Sequence, residues 1–385
     1  MLRKLPGSSK SFGPPRRVSQ TVQNWAKSGE GALSFQLLRP EGVIERPFPQ
    51  SNCAIFNEQF ASRQKAVIPP VFVGRLADAR FVGHGHGAVI SKDDTLLFDI
   101  SRPKRNRGVE RHDLLGALKL PPLTEAKGRI ANLVTPEAEG NYYHWLVELM
   151  PRFFWLREAG FDMENLDGII LKHRGLPFQK ACLKIVGVDE ARILQAHPRL
   201  HLRAEELIIS SYINYGYNSD AYSNRGEGLR GARDWMRAAN PFLAAAKRYP
   251  TKIYVSRQRA AYRRALNGNE LEATLHEFGF ATIFPEDLSF EEQVALFSGA
   301  THIVGLNGAG LANMIFAPEG TKVIECVHPD FITSYFWDIC AELGHEYYVL
   351  VSNDARRGPA FFKFAQQADV TVDCKALREV LASIS

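Results

Sequence analysis

The stretch Thr301-His-Ile-Val-Gly-Leu-Asn-Gly-Ala-Gly-Leu-Ala-Asn-Met-Ile-Phe316 decides how the chain is read. An apolar run, Ile303 and Val304, meets a glycine-rich turn at Gly305, Gly308 and Gly310. A second apolar pattern, Leu311, Met314 and Ile315, then begins with helical spacing. Strand, glycine turn and helix N-terminus in that order suit a phosphate: bare backbone N–H groups approach the anion, and the helix dipole favours its charge. The glycines do not follow the dinucleotide order G-x-G-x-x-G, and no Lys-Ser/Thr follows as in a P-loop. A glycine-rich turn also serves purely geometric ends, so its surroundings carry the decision.

Working outward, Lys252-Ile-Tyr-Val255 reads as a buried strand and Glu270 to Phe278 as a helix opened by an Asn269/Glu272 capping pair. Ala281 to Phe284 reads as a strand, and Ser289 to Ser298 as a helix capped by Ser289 and Glu292. Beyond the glycine turn come the strand Thr321 to Glu325, a helix near Thr333 to Leu343 and the strand Glu346 to Leu350. Alternation of this kind specifies a parallel, doubly wound α/β sheet, whose ligands bind beyond the carboxyl ends of the strands. Ser256-Arg257, the glycine turn and Glu325 all fall at such ends.

The chemistry of that edge fits a nucleotide diphosphate. Arg257 and the pair Arg263-Arg264 offer planar forks for pyrophosphate. Asn307, Gly308 and Gly310 offer amide and backbone donors, and Glu325 offers a carboxylate to ribose hydroxyls. The bland alternatives are a solvated helix face for the arginines and an ordinary strand-end charge for Glu325.

Composition excludes several classes. The chain has 385 residues, enough for about two domains, and 45% hydrophobic with 23% charged residues is ordinary for a globular protein. A net charge of +5 is mild and demands no nucleic acid. Five dispersed cysteines (Cys53, Cys182, Cys326, Cys340, Cys374) without C-x-x-C argue for reduced thiols and against a zinc site. Without a sequon, a membrane-length apolar run or a signal-peptide core, the expected location is cytoplasmic. The first 29 residues hold Arg3, Lys4, Lys10, Arg16, Arg17 and Lys27 and no acid. They read as a solvated, poorly ordered arm, or alternatively as a tether to an anionic inner-membrane face. A second basic cluster, Arg102, Lys104, Arg105, Arg107 and Arg111, reads as an exposed loop after the strand Thr95 to Asp99, with contact to an acidic acceptor as the alternative.

In the first half, Gly140 to Leu156 is too densely apolar for a surface helix. Within it His144 and Glu148 stand at i and i+4 on one face. A polar pair in such a segment is either a satisfied structural hydrogen bond or, lining a cleft, a general base. Gly168 to Leu171, Leu207 to Ser210 and a helix from Phe178 to Val186 indicate a second αβ layer. His84 and His86 in Gly83-His-Gly-His-Gly87 lack a third ligand at suitable spacing, so a glycine-rich turn is preferred to a metal site.

Asn141-Tyr-Tyr-His144 with Glu148, Tyr254-Val-Ser-Arg257 with Arg263-Arg264 and Asn267, Gly305-x-Asn-Gly-Ala-Gly-Leu-x-Asn313, and Val323-Ile-Glu325 together resemble the successive signatures of glycosyltransferase family 61, over about residues 130–330. The resemblance implies a GT-B architecture, two Rossmann-like domains facing a central cleft. The chain's own pattern divides it into a basic arm and irregular segment at 1–70, an αβ domain at 71–240, read as acceptor-side, a nucleotide-sugar domain at 250–350 and a tail with strand and helix at 351–385. The resemblance places the donor, a UDP-sugar, on Ser256, Arg257, Arg263, Asn307, Gly308, Ala309, Gly310, Leu311, Asn313 and Glu325, and puts Asn141 and Tyr143 on the acceptor side. It further implies inverting transfer to a glycan acceptor, free or lipid-linked, with no metal or other cofactor. The chain has no Asp-x-Asp, and it carries Asn307 where many relatives carry His. Lacking the anchors of secretory-pathway relatives, it resembles the bacterial members linked to surface or capsular polysaccharide. Glu148 is the first choice for the base and His144 the second. The competing readings are a nucleotide-dependent oxidoreductase or epimerase, which would need G-x-G-x-x-G where Ser256-Arg257-Gln258 stands, and a non-catalytic nucleotide- or sugar-binding module.

Overall fold

The computed structural model describes residues 13–27, 29–53, 60–61, 63–101, 112–212, 225–355 and 357–384, with the side chains at 245, 247 and 359 also outside the description. Arg3, Lys4 and Lys10 of the basic arm, and the cluster Arg102 to Arg111, lie outside the described residues. The structure is mixed α/β and divides into two compact units, Met1–Gly42 with Ile68–Asp220, and Val43–Val67 with Ala221–Ser385.

The sheet of the first unit runs in the order Arg17–Ser19, Thr95–Leu97, Ala88–Ile90, Arg80–Val82, His201–Ser210, Thr124–Asn132, Gly168–Leu171, Ile193–Gln195, with Val71–Ala77 also on His201–Ser210 and Ala32–Arg39 on Val71–Ala77. From His201–Ser210 to Ile193–Gln195 the pairing is parallel. Around Val71–Ala77, Arg80–Val82 and Ala88–Ile90 it is antiparallel. Apolar side chains such as Phe81, Val89, Ile130, Ile170, Leu202 and Ile209 form the core of this unit. The described part of the arm is built into the first unit. Arg17–Ser19 is a strand, and the short helix Val22–Ala26 buries Val22 and Trp25. Arg16 and Arg17 pair with Asp94 and Asp93 at 3.5 and 3.1 Å. Nearby acids and two apolar anchors, distant in sequence, offset the lost chain entropy.

The second unit carries a fully parallel six-stranded sheet, Ala281–Ile283, Lys252–Val255, His302–Leu306, Lys322–Val327, Glu346–Val351 and Gln50–Ser51. Five of these strands match the sequence expectation closely. The sixth comes from the 43–67 segment, locked by an Arg46–Asp338 ion pair of 3.1 Å with neither side chain exposed. The helix Gly226–Ala238 also lies in this unit, upstream of the boundary at 250. The Ser289/Glu292 capping box opens Phe290–Ser298 as expected. The preceding helix begins earlier than expected, at Gly268, with Asn267 rather than Asn269 at its start. Asn267 Nδ2 donates to Glu270 (3.0 Å), and its Oδ1 accepts from Val372 N (3.0 Å), a tertiary contact no local pattern reveals. The C-terminal helix Cys374–Ile384 packs Leu377, Leu381 and Ile384 against Leu271 and Leu275. No helix among the described residues is long and apolar enough to cross a membrane.

Candidate active site

The glycine turn closes the His302–Leu306 strand and leads into a 3-10 helix, Ala309–Phe316, with Gly308 as its N-cap. The sequence predicts α-helical spacing after Gly310. Within the turn, Asn313 Nδ2 donates to the Gly310 carbonyl at 3.1 Å, a side-chain bond back to the preceding backbone. Asn313 also donates to Gln293 Oε1 at 2.8 Å and is fully buried, as is Leu311, so both brace the turn from behind. The leading N–H groups at Ala309 and Gly310 have no partner within the helix they open.

Arg257 reaches this turn from the end of the Lys252–Val255 strand. Its Nε donates to the Arg263 carbonyl at 3.2 Å and its Nη2 to the Tyr262 carbonyl at 2.9 Å. The remaining Nη1 lies on Gly308, where an added Cβ would stand 2.2 Å from it. Gly308 has an extended backbone (φ −179°), so the requirement there is room for the guanidinium. Burial, then the neighbouring Arg263, lowers the Arg257 pKa to about 10, and burial lowers that of Arg263. Arg263 has φ 56° in a non-glycine residue, a left-handed conformation that persists where surrounding contacts over-determine it. Its guanidinium lies over the Tyr262 and Phe331 rings at 5.1 and 5.6 Å. Two half-buried cations that repel each other and spend their local bonds on carbonyls form an environment stabilised by an incoming anion. Arg264 takes no part. It turns outward to Asp369, whose Oδ2 accepts from both its Nη2 (2.7 Å) and its Nε (3.1 Å). Ser256 is buried, with its hydroxyl accepting from Gln258 N at 3.3 Å.

Behind Arg263 runs a relay. Arg263 Nη1 donates to Asn307 Oδ1 (2.5 Å), Asn307 Nδ2 donates to Glu325 Oε1 (2.6 Å), and Tyr347 donates to Glu325 Oε2 (2.5 Å). Glu325 is fully buried with both oxygens engaged, so its carboxylate fixes the Asn307 amide and is not presented to solvent as a ribose acceptor. Burial pushes its pKa up to about 7, against the opposing hydrogen bonds of Tyr347 and Asn307 and the charge of Arg263.

In the first unit, Asn141 Oδ1 accepts from Tyr143 N (3.0 Å) and caps the turn Tyr142–His144, which passes through a π-helical turn, Trp145–Leu149, into the helix Met150–Glu158. Pro151, with no N–H, frees the Val147 carbonyl from an α-helical bond and permits the wider turn. Turns of this kind recur at functional sites. His144 Nδ1 stands 2.8 Å from Glu148 Oε1, with 20% and 5% of the two side chains exposed. One turn on, Arg152 is buried and donates to Ser210 Oγ, Thr135 Oγ1 and the carbonyls of Asn132, Val134 and Ser210, at 2.9–3.2 Å. It pins the helix to the carboxyl ends of Thr124–Asn132 and His201–Ser210. Tyr143 is buried and Asn141 exposed.

His84 and His86 sit in the glycine turn between Arg80–Val82 and Ala88–Ile90, and no group of three metal-ligating side chains occurs among the described residues. The five cysteines are free thiols. In the second unit Tyr347, Phe331 and Thr333, whose hydroxyl accepts from Asn307 Nδ2 at 3.4 Å, emerge only from the fold, and so do the partners of Arg152 in the first. Residues 142–324 match a family model described as Glycosyltransferase 61. No curated protein is a significant match to the chain.

Proposed function

We infer the reaction from the premise that the chain belongs to glycosyltransferase family 61 and is a glycosyltransferase. The donor is a nucleotide-sugar carried on UDP, and its diphosphate lies across Arg257 and Arg263 at the N-terminus of Ala309–Phe316. The observation that carries this reading is the Arg257 guanidinium seated on Gly308, with its Nη1 aimed at the turn. In this reading the arginines and the helix end neutralise the leaving diphosphate without a metal ion. The two α/β units form a GT-B pair, with the sugar acceptor on the first.

Transfer is a single inverting displacement. The acceptor hydroxyl attacks the anomeric carbon, the bond from that carbon to the diphosphate oxygen breaks, and the hydroxyl proton passes to a base. Burial supports reversing the order suggested by sequence. Glu148 is the more enclosed partner, and its oxygen faces His144 Nδ1. His144 is therefore the base, acting through Nε2, and Glu148 orients and stabilises the imidazolium that forms. The acceptor is a glycan of a bacterial surface or capsular polysaccharide, presented free or on a lipid at the cytoplasmic face of the inner membrane. Incubation with a panel of nucleotide-sugars, scoring nucleotide release with and without acceptor glycans, tests the reading. Acceptor-dependent release from a UDP-sugar is expected. UDP binding without turnover of any donor would leave a binding module instead.

A further inference from the structure

The first unit holds a cleft of about 220 Å³ whose lining includes His86, Thr135, Glu137, Glu139, Asn141, Lys172 and Arg174. It opens beyond the carboxyl ends of the parallel strands Thr124–Asn132 and Gly168–Leu171, where ligands of such sheets bind. Two cations, Lys172 and Arg174, meet Glu139 in its lining, which also includes Glu137. Glu139 stands between Lys172 (2.9 Å) and Arg174 (3.9 Å), so two positive charges share one carboxylate. The Arg174 guanidinium lies against Gly140: a Cβ added there would stand 2.9 Å from both its Cζ and its Nη1. Arg257 is seated on Gly308 in the same manner in the other unit.

The walls of this cleft are built. Gln179, with no exposed surface, donates to the Glu139 carbonyl (2.9 Å) and accepts from Arg174 N and Leu176 N (3.0 Å each), tying the 137–141 and 172–176 loops together. Glu137 holds a left-handed φ of 62°, a strained conformation of the kind retained at ligand-binding loops. Asn141 both lines the cleft and caps the turn that carries His144, so the cleft adjoins the start of the segment that bears the proposed base.

We propose that this cleft is the acceptor subsite and that it selects a sugar bearing an anionic group, a carboxylate or a phosphate, which Arg174 and Lys172 bind in competition with Glu139. The proposal rests on the glycosyltransferase reading for the word acceptor, whereas the anion site itself does not depend on turnover. Lys172 supplies a point charge, and Arg174 a planar fork that matches either oxyanion.

Saturation-transfer NMR on the full chain with glucuronate, glucose 6-phosphate, inorganic phosphate and methyl glucoside tests it. Glucuronate or glucose 6-phosphate should bind and methyl glucoside should not. Which of the two binds identifies the oxyanion, and binding of inorganic phosphate alone would overturn recognition of a sugar. Arg174→Ala should weaken the anionic sugar by about tenfold or more, the loss of one charge-assisted contact. Gly140→Ala, which displaces the same guanidinium while leaving its charge, should act in the same direction. Arg264→Ala, which removes an exposed arginine paired with Asp369 outside both sites, should leave anionic-sugar binding unchanged. Equal binding of methyl glucoside, or full retention in Arg174→Ala, would refute the subsite. Loss in Arg257→Ala in place of Arg174→Ala would assign the anion to the other unit and refute it equally. If anionic sugars bind as described while no nucleotide-sugar is turned over, the glycosyltransferase mechanism fails and the site stands.

Discussion

Gly308→Ala isolates the contact on which the proposed donor site depends. The new Cβ would stand 2.2 Å from Arg257 Nη1, 2.9 Å from its Cζ and 3.0 Å from its Cδ. An ordinary contact needs about 3.4–4 Å, so the guanidinium must move by roughly 1 Å or more. Backbone strain is absent, because φ is −179° and any residue adopts it. The obstructed atoms belong to the far end of a flexible side chain, so the fold should lose little, within about 1 kcal/mol. Binding should suffer more. A charge-assisted hydrogen bond to phosphate contributes about 1.5–3 kcal/mol, and a guanidinium displaced by 1 Å forfeits most of it. UDP affinity should therefore fall about 10- to 150-fold. Titration calorimetry with UDP, paired with thermal melting, reads both quantities. Arg257→Ala should weaken UDP to a similar extent, and adding Gly308→Ala to it should cost almost nothing further, since the displaced group is already gone. Unchanged UDP affinity in Gly308→Ala, or full additivity in the double variant, would refute the seating of Arg257 as the origin of the site.

Three further outcomes follow from the same geometry. His144→Gln should lower transfer by about 10²–10⁴-fold with UDP binding intact, and Glu148→Gln by less, through a poorly oriented imidazole; near-native turnover in both would make the pair structural. Activity should survive exhaustive EDTA treatment, and a loss restored by manganese would contradict charge neutralisation by the arginines alone. Glu325 gives a pH dependence. Its folded pKa of about 7 lies above the ordinary 4.5, so the fold prefers the uncharged acid. That contribution is complete below pH ~4.5 and is lost as pH rises through about 7, an effect of order 2–4 kcal/mol. Asp99, raised to about 7 by burial, titrates in the same window. The difference between the wild-type and Glu325→Gln melting curves from pH 4.5 to 8 therefore isolates the term, and parallel curves would remove it.

The sequence by itself determined the second sheet and the residues at its edge. Short apolar runs such as Ile303-Val304 and Val323-Ile324, separated by capped helices, leave a parallel sheet as the arrangement that buries them, and a parallel sheet brings Arg257, Gly308 and Glu325 to one end. His144 and Glu148 were also legible, because i,i+4 spacing survives a change from α to π winding closely enough to keep them 2.8 Å apart. Orientation was not legible. Arg264 and Arg263 are neighbours in the chain, yet one turns to Asp369 and the other to Asn307, since the left-handed Arg263 reverses the direction in which the next side chain leaves the backbone. Glu325 reads as a free carboxylate until Tyr347, which is 22 residues away, takes its second oxygen. The 43–67 segment has no periodicity to announce it, and long-range contacts assign it to the second unit: Gln50–Ser51 pairs with Glu346–Val351, and Arg46 is buried against Asp338, 292 residues apart by their numbers. Local pattern fixes which backbone forms and which face is apolar. Pairing between distant polar groups is decided by where packing leaves a buried charge or amide in need of a partner, and that information exists only once the chain is folded.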